Sequence, residues 1–223
     1  LYNSNILDSY DKDVRSKYMH DGVHPGVEGH RVLGEYIASG LIQQKAGYSL
    51  SDTEQLPEQE YVTPQMYRES ADEDDTSSIN RAIIKAKGRT VYIPAGTYRI
   101  NTKTGIEICD NTNLIMSPNA KIKAIASKDT HYKVFKLEAV DNVTISGGQI
   151  IGERYQHKGT SGEWGMGIRI YDCTNVRISN VSISDCWGDG IYIGAEDDDT
   201  ARAGCDNITI ENCHLFNNRR NNL

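Results

Sequence analysis

Four short segments of this chain obey one rule: Asn113-Leu-Ile-Met116, Asn142-Val-Thr-Ile145, Asn175-Val-Arg-Ile178 and Asn207-Ile-Thr-Ile210 each read Asn, apolar, any residue, apolar. Their asparagines stand 29, 33 and 32 residues apart, too irregular for a helical array and natural for coils that differ in loop length. Within these coils Ile150, Ile183 and Leu215 fall eight residues after the asparagine, and Ile122 does so after a slip of one. Ahead of each asparagine lies another alternating run: Ile106-Glu-Ile108, Val134-Phe-Lys-Leu137, Ile168-Arg-Ile170 and Ile191-Tyr-Ile193. Each coil therefore holds two or three short strands between Gly, Asn and Asp turns, with no helical run long enough for a βαβ crossover. One coil cannot bury its own apolar face. Stacked coils can, so the pattern predicts a solenoid of parallel strands with inward ladders.

Cysteine supplies a check on register. Cys173 and Cys205 each precede a repeat asparagine by two residues, which predicts stacked inward thiols about 5 Å apart. The five cysteines, Cys109, Cys173, Cys186, Cys205 and Cys213, contain no CxxC pair, so buried free thiols are expected rather than a disulfide framework or a zinc site.

The end of a stack exposes core and strand edges, and a cover is predicted immediately upstream. From Thr76 to Lys87, Ile79, Ile83 and Ile84 recur at helical spacing, with Asp75 or Thr76 as the N-terminal cap and Gly88 as the stop. Thr90-Val-Tyr-Ile-Pro94 then begins the first rung. The solenoid is expected over 75–223. Residues 47–74, with Pro57, Pro64 and several Glu but no periodicity, read as a linker carrying a short extended piece at Tyr61-Val62. Residues 1–46 form a separate piece in which a loop feeds an amphipathic helix bearing Val32, Leu33, Tyr36, Ile37 and Leu41 on one face. The first residue is Leu1 and the last, Leu223, falls in a polar segment, so the sequence reads as part of something longer.

Composition narrows the function classes. A net charge of −7 argues against nucleic-acid binding, which needs clustered Lys and Arg, and no run of eighteen apolar residues is available to insert in a membrane. The candidate chemistry lies in Gly-rich turns of neighbouring coils: Gly162-Glu-Trp-Gly-Met-Gly167 and Ser184-Asp-Cys-Trp-Gly-Asp-Gly-Ile191. Glu163, Asp185 and Asp189 are catalytic candidates because paired carboxylates provide the acid and base of glycoside cleavage. Trp164 and Trp187 offer flat faces for sugar rings, and Arg219 or Arg220 could hold a substrate carboxylate or phosphate. Asp189 reads equally as a turn residue tolerant of left-handed geometry beside Gly190. The run Glu196-Asp-Asp-Asp199 is either a solvated loop or a calcium site; no cofactor is otherwise required. In the N-terminal piece, Asp21 and His24 are spaced to serve as orienter and base of a nucleophilic triad, or are two polar residues of a surface loop.

Two resemblances sharpen these readings. Asp75-Thr-Ser-Ser-Ile-Asn80, Val91-Tyr-Ile-Pro-Ala-Gly-Thr-Tyr98 and Asn142-Val-Thr-Ile-Ser-Gly-Gly148 resemble the start of the pectate-lyase-like right-handed parallel β-helix superfamily. That resemblance implies an all-β, right-handed single-stranded parallel β-helix with an N-terminal capping helix. The lead-in from Val62 resembles the one found in phage tail and appendage proteins, although Ser-Ala-Asp-Glu stands where Gly-Asp-Gly is usual. Gly188-Asp-Gly-Ile191 resembles the active-coil turn of polygalacturonase-like relatives, without their second Asp-Asp pair. Separately, Asp21-Gly-Val-His-Pro25 followed by Gly29-His30 resembles the last block of SGNH esterases. Residues 1–46 would then be the α-helical end of an α/β hydrolase whose serine and oxyanion hole are not in this sequence. The resemblances imply a phage tail spike or appendage enzyme, extracellular or on the virion, that binds and degrades a bacterial surface or cell-wall polysaccharide beside an esterase, as a homotrimer. Two alternatives are a non-catalytic adhesin or shaft and a secreted bacterial pectin-degrading enzyme.

Overall fold

The computed structural model describes residues 61–195 and 204–223. The N-terminal piece, with Asp21 and His24, and the acidic run Glu196 to Asp199 lie outside the described residues.

Short strands with alternating burial account for nearly all regular structure. After β1 (Tyr61–Val62), a 3-10 turn and α1 (Thr76–Ala86), the one α-helix among the described residues, the chain runs through five successive turns. These are β2 (Thr90–Ile93), β3 (Gly96–Ile100), β4 (Ile106–Glu107); then β5 (Asn113–Met116), β6 (Ala120–Ala124), β7 (Lys133–Glu138); then β8 (Asp141–Ser146), β9 (Gln149–Ile151), β10 (Met166–Tyr171). The last two contribute β11 (Thr174–Ser179), β12 (Ser182–Ser184), β13 (Ile191–Gly194) and β14 (Asp206–Glu211), β15 (His214–Phe216). Each strand pairs in parallel with its counterpart one turn away, which gives three sheets ordered β1-β2-β5-β8-β11-β14, β3-β6-β9-β12-β15 and β4-β7-β10-β13. The described residues form a mostly β stack of parallel sheets.

The register turns the repeat into ladders. Val91, Leu114, Ile145, Ile178 and Ile210 lie in line in the first sheet. Tyr98, Ile122, Ile150, Ile183 and Leu215 do so in the second, and Ile106, Phe135, Ile168 and Ile191 in the third. Most of these side chains are wholly buried, each contributing about 1.5–3 kcal/mol relative to exposure. Cys173 and Cys205 are free and adjacent, the Cys173 backbone N–H donating to Cys205 Sγ at 3.5 Å. Cys173 is buried, Cys205 half-buried and Cys109 exposed, so burial of all five thiols is not met.

One segment departs from the expected alignment. Asn142, Asn175 and Asn207 occupy equivalent corners, but Asn113 pairs with Thr144, two positions out of step. The equivalent corner belongs to Asn111. All four corner residues have φ between 52° and 58°, a left-handed conformation that asparagine tolerates. Their amides form a chain along the stack: Asn207 donates to Asn175 at 2.6 Å, Asn175 to Asn142 at 3.2 Å and Asn142 to Asn111 at 3.2 Å. Asn113 instead donates to Thr90 Oγ1. Two asparagines close together fitted the pattern, and the partner in the next turn decided between them. Val134 is likewise displaced by one, since Phe135 takes the ladder position.

The upstream end is closed piece by piece. β1 pairs with β2, so residues 61–74, expected in the linker, are packed into the body. Ile79, Ala82, Ile83 and Ala86 of α1 are buried, whereas Ile84, expected on that face, is 62% exposed. Asp75 does not cap α1 through its side chain. Its Oδ2 accepts the Arg99 N–H at 2.7 Å, while Asp74 Oδ1 accepts the Thr76 N–H at 2.9 Å. Thr76 Oγ1 accepts the Asn101 N–H, and the Asn80 amide donates to Gly105 O and accepts from the Glu107 N–H, both at 3.0 Å. The three sheets thus have their first edges satisfied by β1, by Asp75 with Thr76, and by Asn80, which prevents edge-to-edge association.

Candidate functional site

Two of the excursions between strands are residues 152–165, between β9 and β10, and residues 185–190, between β12 and β13. They pack on each other and on residues 217–222 of the last turn. Gly188 N–H donates to Gly165 O at 2.6 Å, Trp187 N–H to the Tyr132 hydroxyl at 3.1 Å and Cys186 N–H to Asn218 Oδ1 at 3.0 Å. Glycine is required where they touch. A Cβ on Gly188 would lie 2.3 Å from Glu163 O, and one on Gly165 2.5 Å from the Tyr132 ring.

Most of the residues singled out from the sequence meet here. Arg220 lies 3.7 Å from Glu163 Oε1 and 3.8 Å from Asp189 Oδ1, so one guanidinium bridges two of the three candidate carboxylates. The same guanidinium sits 4.8 Å over the Trp164 ring, and Arg219 sits 3.9 Å over Trp187 while bonding Gly162 O. Asp189 is 2% exposed and accepts the Asn221 N–H at 2.8 Å. Its backbone is not left-handed, so the turn-geometry explanation does not hold for it. That explanation belongs to Asp185, with φ 59° and its carboxylate occupied by Ser184 Oγ at 3.0 Å and Asn217 Nδ2 at 2.5 Å. Asp185 is a corner residue and is not drawn into contact with Glu163, Asp189 or either tryptophan.

The two tryptophans are unlike. Trp187 is buried, its ring stacked 3.9 Å from the His157 ring, and it is unavailable to a sugar. Trp164 is partly exposed and begins a row of rings on the outward side of the third sheet. Trp164 lies 6.1 Å from Tyr192, and Tyr192 lies 5.7 Å from Tyr171, with Arg169 4.2 Å over Tyr171.

Beneath the row is a polar cluster that the sequence reading passed over. His157 Nδ1 lies 2.8 Å from Glu153 Oε1, both side chains being almost fully buried. Glu153 Oε2, His157 Nε2 and Trp187 Nε1 are buried without a hydrogen-bond partner. Burial, reinforced by the neighbouring thiol and carboxylate, pushes the Tyr132 hydroxyl well above its ordinary range, and burial with Asp185 and Asp189 nearby does the same to the Cys186 thiol. Glu153 and His157 repeat in no other coil. The available signal was the length of the excursion between Ile151 and Met166.

This parallel-sheet stack is a fold shared with phage proteins and a surface adhesin among solved structures. The chain is similar to the pre-mature bacteriophage phi29 gene product 12, with 25% identity, a TM-score of 0.56, and coverage of 79% of this chain and 24% of that one. In fold it is also similar to PfbA, a surface adhesin of Streptococcus pneumoniae (17% identity, TM-score 0.53, 71% of this chain and 50% of that one). The A-module of the Azotobacter vinelandii mannuronan C-5 epimerase AlgE4 matches at 20% identity and a TM-score of 0.52, over 72% of this chain and 52% of that one. Among curated sequences, Bacillus subtilis YclG is 36% identical over 173 residues and the SPbeta prophage-derived YorA, also of Bacillus subtilis, is 33% identical over 175. Each alignment takes in 67% of this chain, which spans 30% of the length of either relative. No family model matches. Among the described residues no helix is long and apolar enough to cross a membrane.

Proposed function

We propose that the chain is part of a right-handed, pectate-lyase-like parallel β-helix that serves a phage appendage or surface adhesin by binding a bacterial surface or cell-wall polysaccharide. The observation that carries this reading is the outward row Trp164, Tyr192 and Tyr171, half-buried rings held in place by one another and by Arg169 and Arg220. Rings fixed in this way offer apolar edges and faces to a sugar chain at small entropic cost. The phage and adhesin neighbours support the setting. Wall polysaccharide extracted from Bacillus subtilis should retard the protein in affinity electrophoresis, and Trp164→Ala should weaken that retardation about tenfold. Equal retardation of both proteins would contradict the reading.

Cleavage of the bound polymer is a second reading, favoured by the convergence of Glu163 and Asp189 on Arg220. Two carboxylates flanking a glycosidic bond suffice for its hydrolysis. Release of reducing ends from the same polysaccharide, abolished by Asp189→Asn, is the expected result; no release by the unaltered protein leaves the adhesin. The esterase part rests on Asp21 and His24 in the sequence. Without a serine partner this chain should not hydrolyse p-nitrophenyl acetate above background, and hydrolysis would count against it. Homotrimer formation is tested by sedimentation.

A further inference from the structure

The outward cations of the stack fall into two groups. On the first and third sheets they are matched by acids one turn away: Lys136 Nζ lies 2.8 Å from Glu107 Oε1, Arg169 pairs with Glu138, and Arg177 pairs with Glu211. On the second sheet they are not. Its inward ladder is Tyr98, Ile122 and Ile150, so the alternate residues point outward: Thr97, Lys121 and Gln149 in one line, Arg99, Lys123 and Ile151 in the next. Arg99 is the strand partner of Lys123, and Lys121 stands two residues from Lys123 on the same face. Neighbouring strands are about 4.8 Å apart, so three like charges share one small patch. Their side chains have no ion-pair or hydrogen-bond partner among the described residues. Glu73 and Asp74 border Arg99 in a shallow hollow without reaching ion-pair distance. No carboxylate occupies an outward position of this sheet in any of its five strands.

We propose that the outward face of β3, β6 and β9 is a second polymer-binding surface that takes an acidic polysaccharide, one carrying carboxylates or phosphates along its chain, through Arg99, Lys121 and Lys123. The inference rests on the polymer-binding reading above and adds to it a separate surface and a ligand charge. A protein of net charge −7 that pairs Lys136, Arg169 and Arg177 of its first and third sheets with acids has left these three adjacent and open. An anionic partner removes their mutual repulsion and gains charge-assisted hydrogen bonds. Further along the same lines Gln149, Ser182 and His214 continue the face with hydrogen-bonding side chains suited to hydroxyls. Nucleic acid fits less well. Three cations make a small phosphate footprint, and the outward positions of β3, β6 and β9 hold no aromatic ring for a base to stack on.

The test compares the 223-residue chain with the Arg99→Gln, Lys121→Gln, Lys123→Gln triple variant, whose altered side chains all point to solvent and whose thermal unfolding should be unchanged. Probes are polygalacturonate, a glycerol-phosphate polymer, neutral dextran, neutral Bacillus subtilis wall glycan and a single-stranded oligonucleotide. The unaltered protein should bind at least one acidic polymer with a log K against log salt slope of roughly −2, as three contacts at the single-strand coefficient give. The variant should lose about tenfold in affinity and most of that slope. Equal binding by variant and parent overturns the proposal, as does oligonucleotide binding as tight as that of the acidic polymers. Binding to neutral glycan alone, sensitive to Trp164→Ala, overturns this inference and leaves the polymer reading standing. Binding to no polymer overturns both.

Discussion

The lid end and the excursion at residues 152–165 treat buried polar groups in opposite ways. At the lid, Asp75, Thr76 and Asn80 each spend a side chain on the backbone edge of a sheet, and β1 covers the remaining edge. Under the excursion, Glu153 Oε2, His157 Nε2 and Trp187 Nε1 are buried with nothing to bond, and Tyr132 and Cys186 are held neutral by their surroundings. A stack selected for stability alone would fill such a site with apolar side chains, as it does everywhere else along its ladders. The first region is architecture. The second keeps polar side chains buried among Tyr132, His157 and Trp187, where the ladders hold apolar ones.

Substitutions in the two regions should therefore differ in their effect on stability. Asn80→Leu should have the largest effect, because it strands Gly105 O and the Glu107 N–H at an otherwise closed edge; a loss of about 1–3 kcal/mol is expected in urea unfolding. A loss below about 0.3 kcal/mol would mean that water satisfies the edge equally well. Alkaline pH should come next. Burial raises Cys186 and Tyr132 above their ordinary values of 9.0 and 10.0, so the unfolded chain ionises first. Stability is therefore full below pH 9 and falls as pH rises, by about 1.4 kcal/mol per unit for each group past its ordinary value. Cys186→Ala should reduce the onset between pH 9 and 10, to which Cys173 and Cys109, also raised by burial, contribute, and leave the later decline. The smallest effect is expected from replacing the buried pair together. Glu153→Leu with His157→Phe should leave stability within about 1 kcal/mol of the parent or raise it, since well-packed apolar groups often match a buried polar pair. A loss of several kcal/mol would make the pair part of the architecture after all.

Elements that repeat were legible in the sequence, and elements that occur once were not. The ladders of Ile122, Ile150, Ile183 and Leu215 followed from spacing because each turn must bury its own inward residue. Asn113 was misplaced for the same reason, since Asn111 and Asn113 fit one local rule and only the partner in the next turn separates them. Helical spacing alone puts Ile84 on the buried face of α1, but Ala82 and Ala86 fill that face beside Ile79 and Ile83 and Ile84 is exposed. At the site, glycines and tryptophans in adjacent turns marked where Glu163, Trp164, Trp187 and Asp189 would gather. The different fates of the two tryptophans, and the roles of Glu153 and His157, depend on how the excursion folds back over Tyr132, which no periodicity records.

On the function proposed above, the polymer lies along the row from Trp164 to Tyr171, while Trp187 belongs to the interior. Acrylamide quenching of tryptophan fluorescence, with and without Bacillus subtilis wall polysaccharide, tests this directly, because the chain contains these two tryptophans alone. The account predicts that the polymer shields the accessible fluorophore and that the shielding disappears in Trp164→Phe. Undiminished quenching of Trp164 at polymer concentrations that saturate binding would place the polymer elsewhere and contradict it.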